Sequence, residues 1–333
     1  MSAPRELTFR KAVSEALSQQ MQKDDKIFLM GEDMQVFYGG GSMGVTPTEQ
    51  FLNRLGPERV RDTPISEAAF IGAGATAAAT GLKPIVELML VDFFGVAMDQ
   101  IYNQVAKMRY MFGGQMKVPL VIRTVIGGGK SFAAHHSQCL YSIFAHVPGL
   151  KVIVPSTPYD AKGLLISAIK DEDPIMFFEH KMLYPIKGPV PEEEYVIPFG
   201  EADIKRSGKD VTIVATSYMV VKALMAAEKL RFDGIEAEVV DPRSIVPLDK
   251  KTILQSVEKT GRLVIVDEDY EMCGFSAEVA ALVADECFDY LDAPIKRIAT
   301  PSVPIPFAPI LEEYVLPNED KIVKAAKDII GSR

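Results

Sequence analysis

Glu67 stands where a carboxyl group could move a proton. It lies in the stretch DTPISEAAFIGAG, residues 62–74, between a Pro-bearing turn and a run of small residues. Pro64 biases the preceding backbone toward extended geometry and ends the strand RVRDT, and Ser66 is placed to cap the helix that follows. Glu67 then falls in the first helical turn. From Ala68 to Gly81 nearly every residue is Ala, Gly or Thr, so another helix, a sheet or a ligand can approach closely. Partial burial there favours the protonated carboxyl, and the start of the helix opposes this. A first-turn glutamate also serves simply to complement the helix dipole, and position alone does not separate the two roles.

A second candidate is the pair His135 and His136 in AAHHSQ, two of only four histidines in the chain. No Cys or acidic ligand lies at zinc-like spacing, which leaves proton transfer, oxyanion hydrogen bonding or a structural imidazole. Two Gly-rich stretches carry less. GGGSMG, residues 39–44, matches GxGxxG, but no strand runs directly into it. Its helix begins only after Thr46 and Pro47, with Glu49 completing a capping box. GGGKS, residues 127–131, follows a strand and resembles a phosphate loop, yet the required first glycine is Thr124; a flexible loop at an active-site rim is the expectation. Glu32, Glu87 and Asp99 lie on strand ends or the next helix. Solvation accounts for such acids, although Glu87, inside an apolar strand, requires a partner.

The elements that must position these residues alternate apolar strands with amphipathic helices, the pattern of parallel sheets with crossover helices. KIFLM, KPIVELM, VPLVIRT, LKVIVP and PIMFFE read as strands. Helices are expected at 8–22, 48–55, 67–81, 93–111 and 158–170, the last capped by Ser156 or Thr157 with Pro158 at its first position. The Pro-rich, acidic segment 186–200 reads as a linker. A second series follows: DVTIVATS, a helix to Arg231, AEVVDPRS, a helix from Asp249, RLVIVDED, a helix from Ser276, PIKRIATP and a helix from Asn318. The chain of 333 residues, 48% hydrophobic, suits two α/β domains. Its net charge of −9 argues against nucleic acid or an anionic membrane surface as partner. Cys139, Cys273 and Cys287 form no CxxC pair, which suits a reducing compartment. The apolar, uncharged run Ala68 to Leu82 is shorter than a membrane span. A cytosolic protein is expected, or one of the mitochondrial matrix if a transit peptide has been removed.

DTPISE, DQIYNQVAK, RYMFGG, HSQ, HVPGLKVIVPSTPYDAKGLL, DEDPIMFFEH, DPRSIVPLD and EKTGRLVIVDE occur in order over almost the whole length. Together they resemble the beta subunit of the thiamin-diphosphate-dependent first component of 2-oxoacid dehydrogenase complexes. VIRTVIGGG, STPYDAKGLLI, EHKMLY and EEYVIPFGEA look most like acetoin dehydrogenase beta subunits. Pyruvate and branched-chain 2-oxoacid dehydrogenase beta subunits share much of the pattern.

The resemblance implies two three-layer α/β domains with parallel sheets. These are a pyrimidine-binding domain over 1–185 and a transketolase C-terminal-like domain over 201–333, joined by the linker 186–200. It implies an α2β2 tetramer in which the alpha subunit holds diphosphate and magnesium through a GDG motif. That motif is absent here, the nearest string being GED at 31–33. Glu67 matches the glutamate that hydrogen-bonds the 1′ nitrogen of the aminopyrimidine and so makes the 4′ amino group acidic enough to take a proton from the thiazolium ring. Phe93 aligns with an aromatic packed on the pyrimidine, and Met89 lies on the same strand-to-helix passage. His136 matches a histidine that assists acyl transfer to lipoamide on the lipoyl acyltransferase core; His135 departs from the family pattern. Glu32, Glu87 and Asp99 correspond to an acidic channel between active sites. Leu120, Ala168, Ile169, Asp171 and Asp173 correspond to a potassium site, with Asp173 where Asn is common. The expected activity is cleavage of acetoin, or decarboxylation of a 2-oxoacid, with transfer of the acyl unit to a lipoyl domain. Two readings of other classes compete: an NAD-dependent single-chain oxidoreductase using GGGSMG, and a non-catalytic scaffold subunit.

Overall fold

The computed structural model describes residues 5–34 and 53–331. GGGSMG, the capping box at Thr46–Glu49 and most of the helix expected at 48–55 lie outside the described residues. The chain divides into two compact units, one comprising Met1–Ile126 with Ile143–Phe199 and the other Gly127–Ser142 with Gly200–Arg333.

The first unit opens with a short strand β1 (Glu6–Thr8) and helix α1 (Phe9–Lys23). Its sheet is built from β2 (Ile27–Glu32), β3 (Val60–Thr63), β4 (Lys83–Leu90), β5 (Val121–Ile126), β6 (Lys151–Ile153) and β7 (Ile175–His180). These run parallel in the order β6-β7-β5-β4-β2-β3. Every residue of β2, β5 and β7 is buried, as expected of parallel strands covered on both faces by crossover helices. β8 (Lys187–Pro189) pairs antiparallel with β1.

α1 buries a stripe of Phe9, Ala12, Val13, Ala16, Leu17, Gln20 and Met21, the 3.6-residue period of an amphipathic helix. It packs against a helix that runs from Pro158 to Lys170. Helix α2 (Glu67–Ala79) packs instead against a composite helical run from Val91 to Met111, whose middle, Gln100–Val105, is a π-turn. The small residues of α2 permit that approach. A Cβ at Gly72 would sit 2.9 Å from Gln100 Oε1, and one at Gly74 would sit 2.6 Å from Val86 Cγ2.

The helix at Pro158–Lys170, here α3, starts as its sequence demands: the Thr157 side chain accepts from the Asp160 N–H, and Pro158 fills the first turn. Its Lys162, fully buried, donates to Glu15 at 2.7 Å and to the carbonyls of Pro191, Glu192 and Glu193 at 2.7, 3.0 and 2.9 Å. Ser167 Oγ donates to the Ile197 carbonyl at 2.7 Å and accepts from the Ile197 N–H at 3.1 Å. The irregular segment before Phe199 is thus pinned along α3 rather than slack.

The second unit carries β9 (Asp203–Arg206), β10 (Val211–Ala215), β11 (Ala237–Asp241), a short β12 (Ser244–Val246), β13 (Leu263–Tyr270) and β14 (Lys296–Thr300). Its sheet order is β14-β13-β10-β11-β9, parallel except for β9. Helices α4 (Tyr218–Phe232) and α8 (Glu319–Gly331) share a core with Val211, Ile213, Val239, Val264 and Val266. Two further helices, α5 (Lys250–Thr260) and α6 (Phe275–Glu286), pack on one another and on β10 and β13. α7 (Pro309–Val315) completes the set. Among the described residues no helix is long and apolar enough to cross a membrane, and no disulfide joins the three cysteines.

Candidate active site

Glu67 sits at the carboxyl end of the first unit's parallel strands, where open α/β sheets place their ligands. β3 ends at Thr63, and four residues later Glu67 opens α2, 8% exposed. Ser66 does not cap this helix through its side chain as expected; its Oγ donates to the Pro64 carbonyl at 3.1 Å, tightening the turn instead. Glu32, at the end of β2 and paired in register with Thr63, brings a second carboxyl to the same end of the sheet. Burial pushes the Glu32 carboxyl up to about 7, and the charges of Glu67 and Asp33 push in the same direction. Two acids therefore share this corner, and one of them holds a proton near neutral pH.

Met89 and Phe93 occupy the neighbouring strand-to-helix passage. β4 pairs with β5 as Leu88 with Thr124 and then Leu90 with Val125, so Met89 is an extra residue in a β-bulge. Its neighbours Leu88 and Leu90 are buried and Met89 is half-exposed. A bulge re-aims a side chain in this way, often beside an active site. Phe93 closes the 3-10 turn Val91–Phe93 and is also half-exposed. Neither the bulge nor the turn leaves a mark in composition.

Beneath the bulge, Glu87 has its partner. Arg123, fully buried on β5, donates to Glu87 on β4 at 2.5 Å and to Glu179 on β7 at 2.7 Å. With two carboxylates to one guanidinium, burial raises the Glu179 carboxyl, the charge of Glu87 adds to this, and Arg123 opposes both. Asp99 is different in kind: it is exposed and accepts from Asn103 at 2.6 Å. The three acids read as one group are thus a titrating acid, a buried ion-pair member and a surface residue.

His135 and His136 lie on Gly127–Ser142, the segment that belongs to the second unit. The backbone there alternates: Gly127, Gly129, Ser131 and Ala133 have φ of 94°, 88°, 56° and 61°. Such alternation turns successive N–H groups to one side and makes a cradle for anions. Carboxylates of the same unit fill it. Gly128 N–H donates to Glu268 at 2.7 Å, and Gly129 and Ser131 N–H donate to the two oxygens of Glu312 at 2.8 and 2.9 Å. The resemblance of GGGKS to a phosphate loop has a physical basis, but the anion it holds is the protein's own, and the expected flexible loop is a clamped one. Beyond it, Gly127 N–H closes on the Gln138 carbonyl at 3.0 Å, and His136 N–H on that of Ala133 at 3.4 Å. His136 is half-buried and His135 exposed.

The acids of β13 extend this arrangement. Tyr141 Oη donates to Asp267, and Ser142 N–H donates to Asp269 at 3.2 Å. Burial, and then the charge of Asp267, lift the Asp269 carboxyl to about 7. Glu268 and Glu312 escaped the sequence reading; the three acids that close the buried strand LVIVDED were the available signal.

The residues expected to hold potassium serve other bonds. The Leu120 carbonyl accepts from the Ile175 N–H at 2.9 Å and that of Ala168 from the Asp171 N–H at 3.3 Å, while Ile169 is buried on the same helix. Asp171 pairs with Lys151 at 2.6 Å, and Asp173 with Lys151 at 3.1 Å and with Arg109. These two carboxylates face fixed cations and do not fit a metal, which leaves only main-chain oxygens for one.

Residues 5–187 match the family model described as transketolase, pyrimidine binding domain, and residues 200–322 match that of transketolase, C-terminal domain. The chain is 51% identical to acetoin:2,6-dichlorophenolindophenol oxidoreductase subunit beta of Bacillus subtilis (strain 168), covering 98% of each. It is 44% identical to 2-oxoisovalerate dehydrogenase subunit beta of the same organism, covering 97% of this chain and 98% of the relative. A solved structure of a split-gene transketolase, an inactive beta4 tetramer, has the same fold, with a TM-score of 0.79, 23% identity and 98% of both chains covered.

Proposed function

The chain belongs to the family of beta subunits of the thiamin-diphosphate-dependent first component of acetoin and 2-oxoacid dehydrogenase complexes, and from that premise we propose that it serves acetoin cleavage, with Glu67 as the acid that acts on the cofactor. The observation that carries the role of Glu67 is its burial in the first turn of α2 beside Glu32. A carboxyl so placed can hold or give a proton at a ring nitrogen while its neighbour stores another. These residues fit an aminopyrimidine: an acid for the ring nitrogen, with the half-exposed Met89 and Phe93 to cover its faces and exclude water. When bound, thiamin diphosphate supplies the electron sink for a carbanion. The chain has no GDG string, so an alpha subunit carries the diphosphate and magnesium, in an α2β2 assembly.

His136 assists acyl transfer to a lipoyl domain, held on a segment whose backbone is fixed from both sides. Acetoin is favoured over a 2-oxoacid because the relative named for acetoin is 51% identical and the one named for 2-oxoisovalerate 44%. A potassium ion, if the assembly takes one, would rest on the main-chain oxygens of Leu120, Ala168 and Ile169.

The test is calorimetric titration of magnesium thiamin diphosphate into the chain alone and into the tetramer purified with its partner, followed by turnover assays. The expected result is binding only in the tetramer, with acetoin turned over faster than pyruvate or 2-oxoisovalerate. Tight binding by the lone chain overturns the shared site, and preference for a 2-oxoacid overturns the substrate.

A further inference from the structure

The segment that carries His136 is held in shape by acids far from it in sequence. Glu312, 4% exposed on α7, accepts the N–H groups of Gly129 and Ser131, one on each carboxylate oxygen. The contact is close on both sides, since a Cβ at Gly128 would sit 2.7 Å from Leu316 Cδ1 and 3.2 Å from Glu312 Oε1. Hydrogen bonds from N–H to an ionised carboxylate are the stronger kind, and two of them to one side chain fix both the position and the orientation of the peptide planes. Ser131 and Ala133 are non-glycine residues with positive φ, conformations that persist only where surrounding bonds enforce them. The turn from Ala133 to His136 follows directly.

The geometry points to Glu312 as a positioning residue for His136: its carboxylate, filling the backbone cradle of Gly129–Ser131, sets the turn from which the imidazole projects. Glu312 touches no reacting atom in this account. It acts through the loop, and the inference rests on the proposed part of His136 in acyl transfer. Glu268 still holds Gly128 N–H at 2.7 Å and Tyr270 Oη donates to Gln138 at 3.2 Å on the other side of the histidine, so loss of Glu312 frees Gly129–Ser131 rather than the whole segment.

The experiment uses the tetramer and the near-isosteric Glu312→Gln, with Glu313→Gln, an exposed neighbour on the same helix, as control. The amide of glutamine presents an N–H₂ where one backbone N–H now finds an acceptor. Hydrogen exchange of residues 127–136, without substrate, should quicken by about tenfold in Glu312→Gln and not in Glu313→Gln. Lipoyl-linked turnover should fall about tenfold more than dye reduction, which needs no lipoyl transfer. Gly128→Ala, whose Cβ would crowd the Leu316 methyl and the Glu312 carboxylate, should move both readouts in the same direction. Unchanged exchange in both loop variants, or quicker exchange with an unchanged ratio of the two activities, overturns the inference. The premise is judged separately by His136→Ala: if that variant leaves the ratio unmoved, the role of His136 falls, while the exchange data still decide whether Glu312 holds the loop.

Discussion

Glu32 and Glu312 are both glutamates and both buried, 7% and 4% exposed, yet they are set up for opposite uses. Glu32, in the first unit, faces the charges of Glu67 and Asp33, and its carboxyl is lifted to about 7, first by burial and then by that repulsion. Glu312, in the second unit, faces two backbone N–H groups that satisfy one oxygen each. A buried carboxylate that faces like charges becomes a proton carrier, and one that faces N–H donors becomes a mechanical part. Burial therefore does not separate chemistry from architecture in this chain; what faces the oxygens does.

The strongest way to break that contrast is at Glu67. Glu67→Gln should lower turnover of the tetramer by about a thousandfold, the range of a lost general acid or base, with assembly unchanged by light scattering. Normal turnover would remove the central claim. Next is a place in the first unit where two buried carboxylates share one charged donor. Arg123→Met leaves Glu87 and Glu179 buried without their guanidinium and should cost about 3–5 kcal/mol in urea unfolding. A neutral outcome would mean that both acids already carry protons and that Arg123 balances nothing.

Glu32→Gln sharpens the comparison with a sign. The folded-state carboxyl titrates at about 7 and the unfolded one near its ordinary 4.5, so between those values folding takes up a proton. Stability of the wild-type chain therefore falls as pH rises from about 4.5 to 7. The variant should lack that loss and gain about 1 kcal/mol at pH 8, a figure discounted for solvent screening at the strand end. Thermal melts of the cofactor-free protein across this range would decide it; parallel stability profiles for the two proteins refute the assignment. The same group should vanish from the pH profile of the enzyme.

Some of this was legible in the residues. Pro64 and the run of Ala and Gly were enough to read a helix starting at Glu67, and Thr157-Pro158 read correctly as the start of α3 because both signals are local. The alternation of apolar strands with amphipathic segments gave two α/β units for the same reason. Ser66 misled, since its hydroxyl has two competing local acceptors or donors and the turn won over the helix. The Met89 bulge was invisible, because one extra residue in an apolar strand changes register and not composition. Glu87 advertised a need for a partner, but only the pairing of Val86 with Ile122 and Glu87 with Arg123 identifies it. The loop at GGGKS was misread for the deepest reason: its shape is set by Glu268 and Glu312, far along the chain, and local sequence holds no record of them.

The smallest expected effect concerns carboxylates matched by cations at a half-exposed site. Burial raises the Asp173 carboxyl, but Lys151 and Arg109 outweigh it and hold the group below its ordinary value. A lowered carboxyl lends stability above its unfolded value of about 4 and loses that contribution as pH falls through the folded one. Asp173→Asn should therefore cost about 0.5–1 kcal/mol at pH 7 and nothing at pH 2, because Lys151 keeps Asp171 and the exchange is screened by solvent. The same melts, run in potassium and then in tetramethylammonium chloride, separate fixed cations from a bound one. If Lys151 and Arg109 supply all the positive charge this cluster uses, the wild-type midpoint stays within about 1 °C, a shift smaller than 1 kcal/mol produces in a domain of this size. A drop of several degrees in tetramethylammonium, retained in Asp173→Asn, would instead locate an ion on the main-chain oxygens near Leu120 and Ala168 and make the carboxylates bystanders to it.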